Sequence, residues 1–212
     1  MILNHNRHSV VTYHRTKSPI WFPYNINGTP LIRNNYVGDL GVLFDEKLSF
    51  SHLHEICNKA YKMLGFISRN TKDFSNLNSL KYLYCSLVQP SLEYCSVVWS
   101  PYQVTFQRQL TKIFLKFLRM VRLRMGYTYD EVMTSLDLTS PSNRRKQHDI
   151  MFLFFVINHH YDCPFLLSGI NFNVSSVMTR HRNSFSICFH GTNYSYNSPL
   201  SRMMCTANEF DI

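Results

Sequence analysis

Five cations stand out by type and spacing. Arg108, Lys112, Lys116, Arg119 and Arg122 recur every three or four residues, and no acid interrupts residues 108–124. On a helix this spacing gathers all five on one face. Such a row suits phosphates: each phosphate contact releases condensed counterions and adds about −0.9 to the salt slope of duplex binding. Contacts of this kind position a nucleic acid and do not read its sequence. The competing reading is a solvated helix face, the usual fate of a charge run.

A smaller basic cluster, Arg144-Arg145-Lys146, falls at a predicted helix start. Cations there oppose the helix dipole, so either an anionic partner or something within the protein compensates them; simple solvation is the plain alternative. Tyr94, Trp99 and Tyr102 are candidates to stack on bases, with filling of the core as the stronger reading. His52-x-His54-x-x-Cys57 and His159-His160-x-x-Cys163 each lack a second cluster to complete the four ligands zinc normally takes. The adjacent acids are Asp45-Glu46 and Asp130-Glu131, the latter placed where a helix start favours negative charge. There is no G-x-S-x-G nucleophile motif and no phosphate loop. These residues therefore predict no catalytic and no metal-binding group, and a binding role for the 108–122 row.

The composition agrees with a folded, polyanion-binding chain. Of 212 residues 45% are hydrophobic, with 16 Phe, 13 Tyr and 2 Trp, enough for a core and unlike a disordered chain. Twenty-two Lys+Arg against 13 Asp+Glu give a formal charge of +9, which points to nucleic acid or an acidic surface. The six cysteines are widely spaced without a C-x-x-C pair, and read as reduced thiols of an intracellular protein, nuclear or cytoplasmic. No signal peptide is legible in Met1–His14. The longest apolar run, Ile150 to Ile157, is far short of the roughly 20 residues a membrane span needs, so no membrane is expected.

The elements that would carry these residues form an α+β, mostly α, fold: short N-terminal strands and a β-hairpin, then a helical bundle, then an irregular tail. Residues 1–50 read as strands, with Asn27-Gly28 as a tight turn and an apolar run at Leu40–Phe44. From 51 the period becomes helical: Leu53, Ile56, Cys57, Ala60, Met63, Leu64 and Ile67 share one face, with Ser49 or Ser51 as the cap. Further helices are expected over Asn78–Val88, broken or kinked at Pro90, then Thr105–Arg124, Tyr129–Leu136 and Arg144–His160. In the helix over Thr105–Arg124, Leu110, Ile113, Phe114, Phe117, Leu118 and Val121 oppose the five cations. Residues 164–212 predict loops with two short strands near Phe172–Val174 and Phe185–Phe189. The expected divisions are 1–50, 51–163 and 164–212.

Two blocks within this frame carry a resemblance. Asp39-Leu40-Gly41-Val42-Leu43-Phe44-Asp45-Glu46-Lys47-Leu48-Ser49-Phe50, followed by Asn58-Lys59-Ala60 and Leu64-Gly65-Phe66-Ile67-x-Arg69, is one. Leu83-Tyr84-x-x-Leu87-Val88-x-Pro90-x-Leu92-Glu93-Tyr94-x-Ser96-x-Val98-Trp99-x-Pro101 is the other, and Thr192–Tyr194 with Asn197-Ser198-Pro199-Leu200-x-Arg202-Met203 adds a third, shorter one. Together they resemble the C-terminal part of reverse transcriptases from jockey-type non-LTR retrotransposons. The resemblance implies that Leu40, Gly41 and Val42 belong to a primer-grip block at the palm edge, that residues 51–163 form a thumb, and that the chain begins after the catalytic centre. Reverse transcription runs on two metal ions held by palm carboxylates, roughly 3.5–4 Å apart. The family uses an adjacent aspartate pair for them; this sequence has none, so Mg2+ is expected only with the palm, and the chain alone is expected to be inactive. The implied partners are an RNA/DNA template–primer and the palm and fingers of the same polyprotein. One departure stands out: Val37-Gly38 occupies the place where the family usually carries Lys or Arg before Asp-Leu-Gly-Val. The alternative readings are an inert or host-recruited helical module for protein contact, or a pseudogene remnant.

Overall fold

The computed structural model describes residues 8–49, 52–174 and 183–210. A small strand region precedes a helical one, so the fold is α+β and mostly α. The chain divides into two compact units, Met1–Glu55 and Ile56–Ile212.

The first unit is built from two tight hairpins and one parallel pair. β1 (Ser9–Val10) lies parallel to β4 (Ile32–Arg33). β2 (Asn25–Ile26) and β3 (Thr29–Pro30) are joined by Asn27-Gly28, both at positive φ (50° and 79°), as a two-residue hairpin with a primed turn requires. The run Leu40–Phe44 is not one strand. Leu40-Gly41 (φ 45° and 81°) turns β5 (Tyr36–Asp39) into β6 (Val42–Asp45), with Asp39 opposite Val42. Leu40 thus sits 83% exposed at the tip, while Val42 is buried. Ser49 does not cap the following helix, because its N–H and hydroxyl both donate to the Asp45 carboxylate at 2.8 Å. Ser51 lies outside the described residues.

In the second unit, α1 (Leu53–Asn70) buries Cys57, Ala60, Leu64 and Ile67, the spacing of one helical face. Met63, assigned to that face by its period, is largely exposed at the rim. α2 (Leu77–Leu83) is capped by the Asn76 side chain, which accepts from the N–H groups of Asn78 and Ser79. Pro90 does not break this segment. A π-helical turn over Tyr84–Val88, closed by the Gln89 N–H on the Tyr84 carbonyl, carries the chain into α3 (Gln89–Glu93). Proline cannot donate to an ordinary helical ladder, and a widened turn relieves its ring of the carbonyl one turn back. Leu80, Tyr84, Val88 and Leu92, four apart, are all buried.

After α4 (Ser96–Trp99) comes the 22-residue α5 (Val104–Met125), ended by Gly126 at φ 72°. α6 (Tyr129–Leu136) and α7 (Pro141–Ile157) follow. α7 starts three residues ahead of the expected Arg144, since Ser140 caps it and Pro141 suits a first turn. The tail is not only loop. α8 (Pro164–Ser168), α9 (Asn193–Tyr196) and α10 (Pro199–Glu209) lie in it, and Met203, Met204 and Ala207 of α10 join Leu153, Val156, Ile170 and Phe185 in a second core. The two expected strands reduce to a single bridge, Phe172 opposite Phe185. α10 is short, and its buried apolar positions are methionines and an alanine between polar residues.

Candidate nucleic-acid interface

α5 holds its cations outward by what it buries. Leu110, Ile113, Phe114, Phe117, Leu118 and Val121 are all in the core, and Phe117 stacks on Tyr84 with centroids 4.2 Å apart. The residues between them are fixed on the opposite side. Arg108, Lys112, Lys116 and Arg119 are exposed, and Arg122 is half-buried. The helix rise of about 1.5 Å per residue makes this row roughly 21 Å long.

None of the five forms an ion pair with a carboxylate among the described residues. Two of them stand over aromatic rings. The Lys116 ammonium stands 5.2 Å from the ring centre of Tyr61 on α1, and the Arg122 guanidinium 4.7 Å from that of Tyr129 on α6. A cation over a ring keeps its charge and is steered in direction. Val104, Leu115 and Leu123 are exposed along the same side.

Arg124, at the end of the run, does different work. It donates to the Thr71 carbonyl (2.6 Å), the Thr71 hydroxyl (2.8 Å) and the Ser68 carbonyl (2.6 Å). These are open acceptors at the C-terminal end of α1, where cations are favoured. Arg124 therefore locks α1 against α5 beside the row. Its place in the helical period sets it apart from Arg122: two residues further on, it lies about 200° around the helix, on the side of the buried residues.

Two of the three cations in Arg144-Arg145-Lys146 are paired from within. Arg144 forms a two-pronged pair with Glu93, and Lys146 reaches Glu209 at 2.6 Å. Arg145, only 4% exposed, runs into the core; burial pushes its pKa down, while Glu93 and Asp149 pull it back up. Asp149 accepts two bonds from Arg202 (2.8 and 3.1 Å), which also donates to the Val97 carbonyl at 2.7 Å. The cluster ties α3, α7 and α10 together.

The aromatic candidates divide. Trp99 is buried and donates to the Tyr94 carbonyl at 2.7 Å, whereas Tyr94 and Tyr102 are exposed. Asp130-Glu131 serves the start of α6: the Glu131 carboxylate accepts from the Thr128 N–H (2.7 Å), and the Thr128 hydroxyl from the Glu131 N–H (3.4 Å). In the first unit, Leu40 and Gly41 occupy the β5–β6 turn, with Val42 behind them on β6. Among the described residues no three His, Cys, Asp or Glu side chains converge as a metal site would need. Among them, too, no helix is long and apolar enough to cross a membrane.

Compared with models of protein families, with curated proteins and with solved structures, the chain finds no match.

Proposed function

We propose that this chain is the part of a retrotransposon RNA-directed DNA polymerase that grips the template–primer, through the basic row on α5. The observation that carries this reading is the row itself: five cations on one side of a rigidly packed helix, none paired with a carboxylate among the described residues. A row free of acids holds a net positive potential over roughly 21 Å, long enough to meet several phosphates. The two sequence blocks resembling jockey-type elements supply the enzyme class, and the Leu40-Gly41-Val42 hairpin supplies the primer-grip counterpart. With no adjacent aspartates in the sequence, the two-metal chemistry would come from carboxylates that it does not contain.

The test is titration of a fluorescent RNA·DNA hybrid over a salt series. The triple variant Lys112→Ala, Lys116→Ala and Arg119→Ala should weaken binding alike for all sequences and reduce the salt slope by roughly two to three. Unchanged affinity and slope would remove the row from the function.

The exposed Val104, Leu115 and Leu123 favour a second reading, a face for protein contact. Light scattering separates the two: self-association without nucleic acid supports protein contact, and a monomer that binds the hybrid supports the first reading.

A further inference from the structure

An apolar groove of about 470 Å3 opens between the end of α1 and one side of α2. Phe66, Phe74 and Tyr82 form its aromatic walls, with Ile67 and Leu83 among its other apolar lining residues. All three aromatics are well exposed, at 51%, 44% and 71%. The volume lies within the roughly 300–1,000 Å3 of small-molecule sites.

The charge around the groove selects its occupant. At about 100° per residue, Tyr61 faces one flank of α1 and Phe66 with Asn70 the other. Lys59, Lys62 and Arg69 project outward between them, and Lys62 and Arg69 are exposed. Gly65 leaves room for the Arg69 guanidinium to fold back along this ridge: an added Cβ there would lie 3.4 Å from its Nη1. Lys72 is exposed beside Phe74, and Asp73 is the one acid in the stretch from Lys59 to Tyr82. The flank of α1 that bears Tyr61 meets Lys116 of the α5 row, and Arg124 pins the same helix at Ser68 and Thr71. Positive surface therefore continues from the α5 row over the α1 ridge to the lip of an aromatic groove. Cations that track a backbone beside rings that stack on bases are the two parts of a single-strand site.

We propose that the groove formed by Phe66, Phe74 and Tyr82 takes an unpaired nucleobase of a strand that continues beyond the α5 row over Lys62 and Arg69. The proposal rests on the α5 reading for the path of the strand. The stacking itself is indifferent to base identity, because every base presents a π-face.

The experiment compares the full chain and its Phe74→Ala/Tyr82→Ala variant by fluorescence anisotropy. The probes are an oligothymidylate strand, an abasic strand of equal length and charge, and a blunt RNA·DNA duplex. The wild type should prefer oligothymidylate to the abasic strand by about fivefold or more. The variant should lose that preference and keep its affinity for the duplex, and Phe74→Tyr/Tyr82→Phe should restore it. Equal wild-type affinity for the two strands overturns the proposal whether or not the alanine variant folds. So does a variant with an intact melting transition and an unchanged preference. Loss of binding in the α5 triple variant with the thymidylate preference unaffected by Phe74→Ala/Tyr82→Ala leaves the α5 reading standing and removes the groove. The reverse pattern removes the α5 row and keeps the groove. If the aromatic variant abolishes self-association in light scattering and leaves strand binding unmoved, the groove is a contact between copies and the proposal fails.

Discussion

The chain carries two basic clusters of similar composition that end in opposite circumstances. On α5, Arg108, Lys112, Lys116, Arg119 and Arg122 lie on one outward side, and Lys116 and Arg122 have tyrosine rings for neighbours. At the start of α7, Arg144 and Lys146 turn to Glu93 and Glu209 and hold three helices together, while Arg145 is buried beneath them. The difference lies in the acids. Those that serve the α7 cluster come from far along the chain, 51 residues away for Glu93 with Arg144 and 63 for Glu209 with Lys146. A basic run is functional surface only where the fold brings it no carboxylate, and charge counting along the chain cannot see that.

The largest effect that would sharpen this contrast is at Asp149, a buried carboxylate holding Arg202 by two bonds. Asp149→Ala leaves Arg202 without its counter-charge and weakens the negative field at Arg145, and removing one partner of a buried pair costs about 3–5 kcal/mol. Urea unfolding should show a loss of that size, with the salt slope of hybrid binding unchanged in the folded protein. A loss below about 1 kcal/mol would mean that the α7 cluster is solvated like that of α5.

Arg124 tests the boundary between the two classes. It belongs to the α5 run by sequence and to the internally bonded class by geometry. Arg124→Ala should cost roughly 1.5–3 kcal/mol, the range for hydrogen bonds to a charged group, measured by the same unfolding. Its effect on the salt slope should be far smaller than that of the Lys112, Lys116 and Arg119 changes. A slope that falls by a full phosphate contact would return Arg124 to the row.

Much of this was legible because it is local. The faces of α5 follow from the spacing of Leu110 to Val121, and the Asn27-Gly28 turn from its dipeptide. The α6 start followed from Asp130-Glu131, where the fold adds the matching Thr128. What escaped is long-range or mixed. Leu40-Gly41 reads as the front of an apolar run, yet a leucine at positive φ turns the hairpin. The continuation through Pro90 depends on a widened turn that no residue type announces. Arg202, inside the block at Asn197–Met203, looked like part of a tail and proves to anchor α10 to α7. The groove was invisible for the same reason: Phe66 and Tyr82 sit on different helices, and only the α1–α2 packing puts them on one opening.

The smallest effect concerns the acids nearest to the row downstream in sequence. Glu131 is bound up in its own helix start, where the Thr128 N–H, and then its hydroxyl, hold the carboxyl below its ordinary value of 4.5. Folding thus favours the charged form. Its contribution to stability is complete above about pH 4.5 and is lost as pH falls through the lower, folded value. Glu131→Gln should therefore flatten the acid limb of a stability–pH curve followed by thermal melts. At neutral pH it should leave hybrid affinity and salt slope where they are, because this carboxylate is directed to the α6 N-terminus and not to the cations of α5. Tighter hybrid binding by Glu131→Gln would show that the carboxylate does reach the row. The α5 cluster would then be partly compensated, and the contrast with α7 would be one of degree.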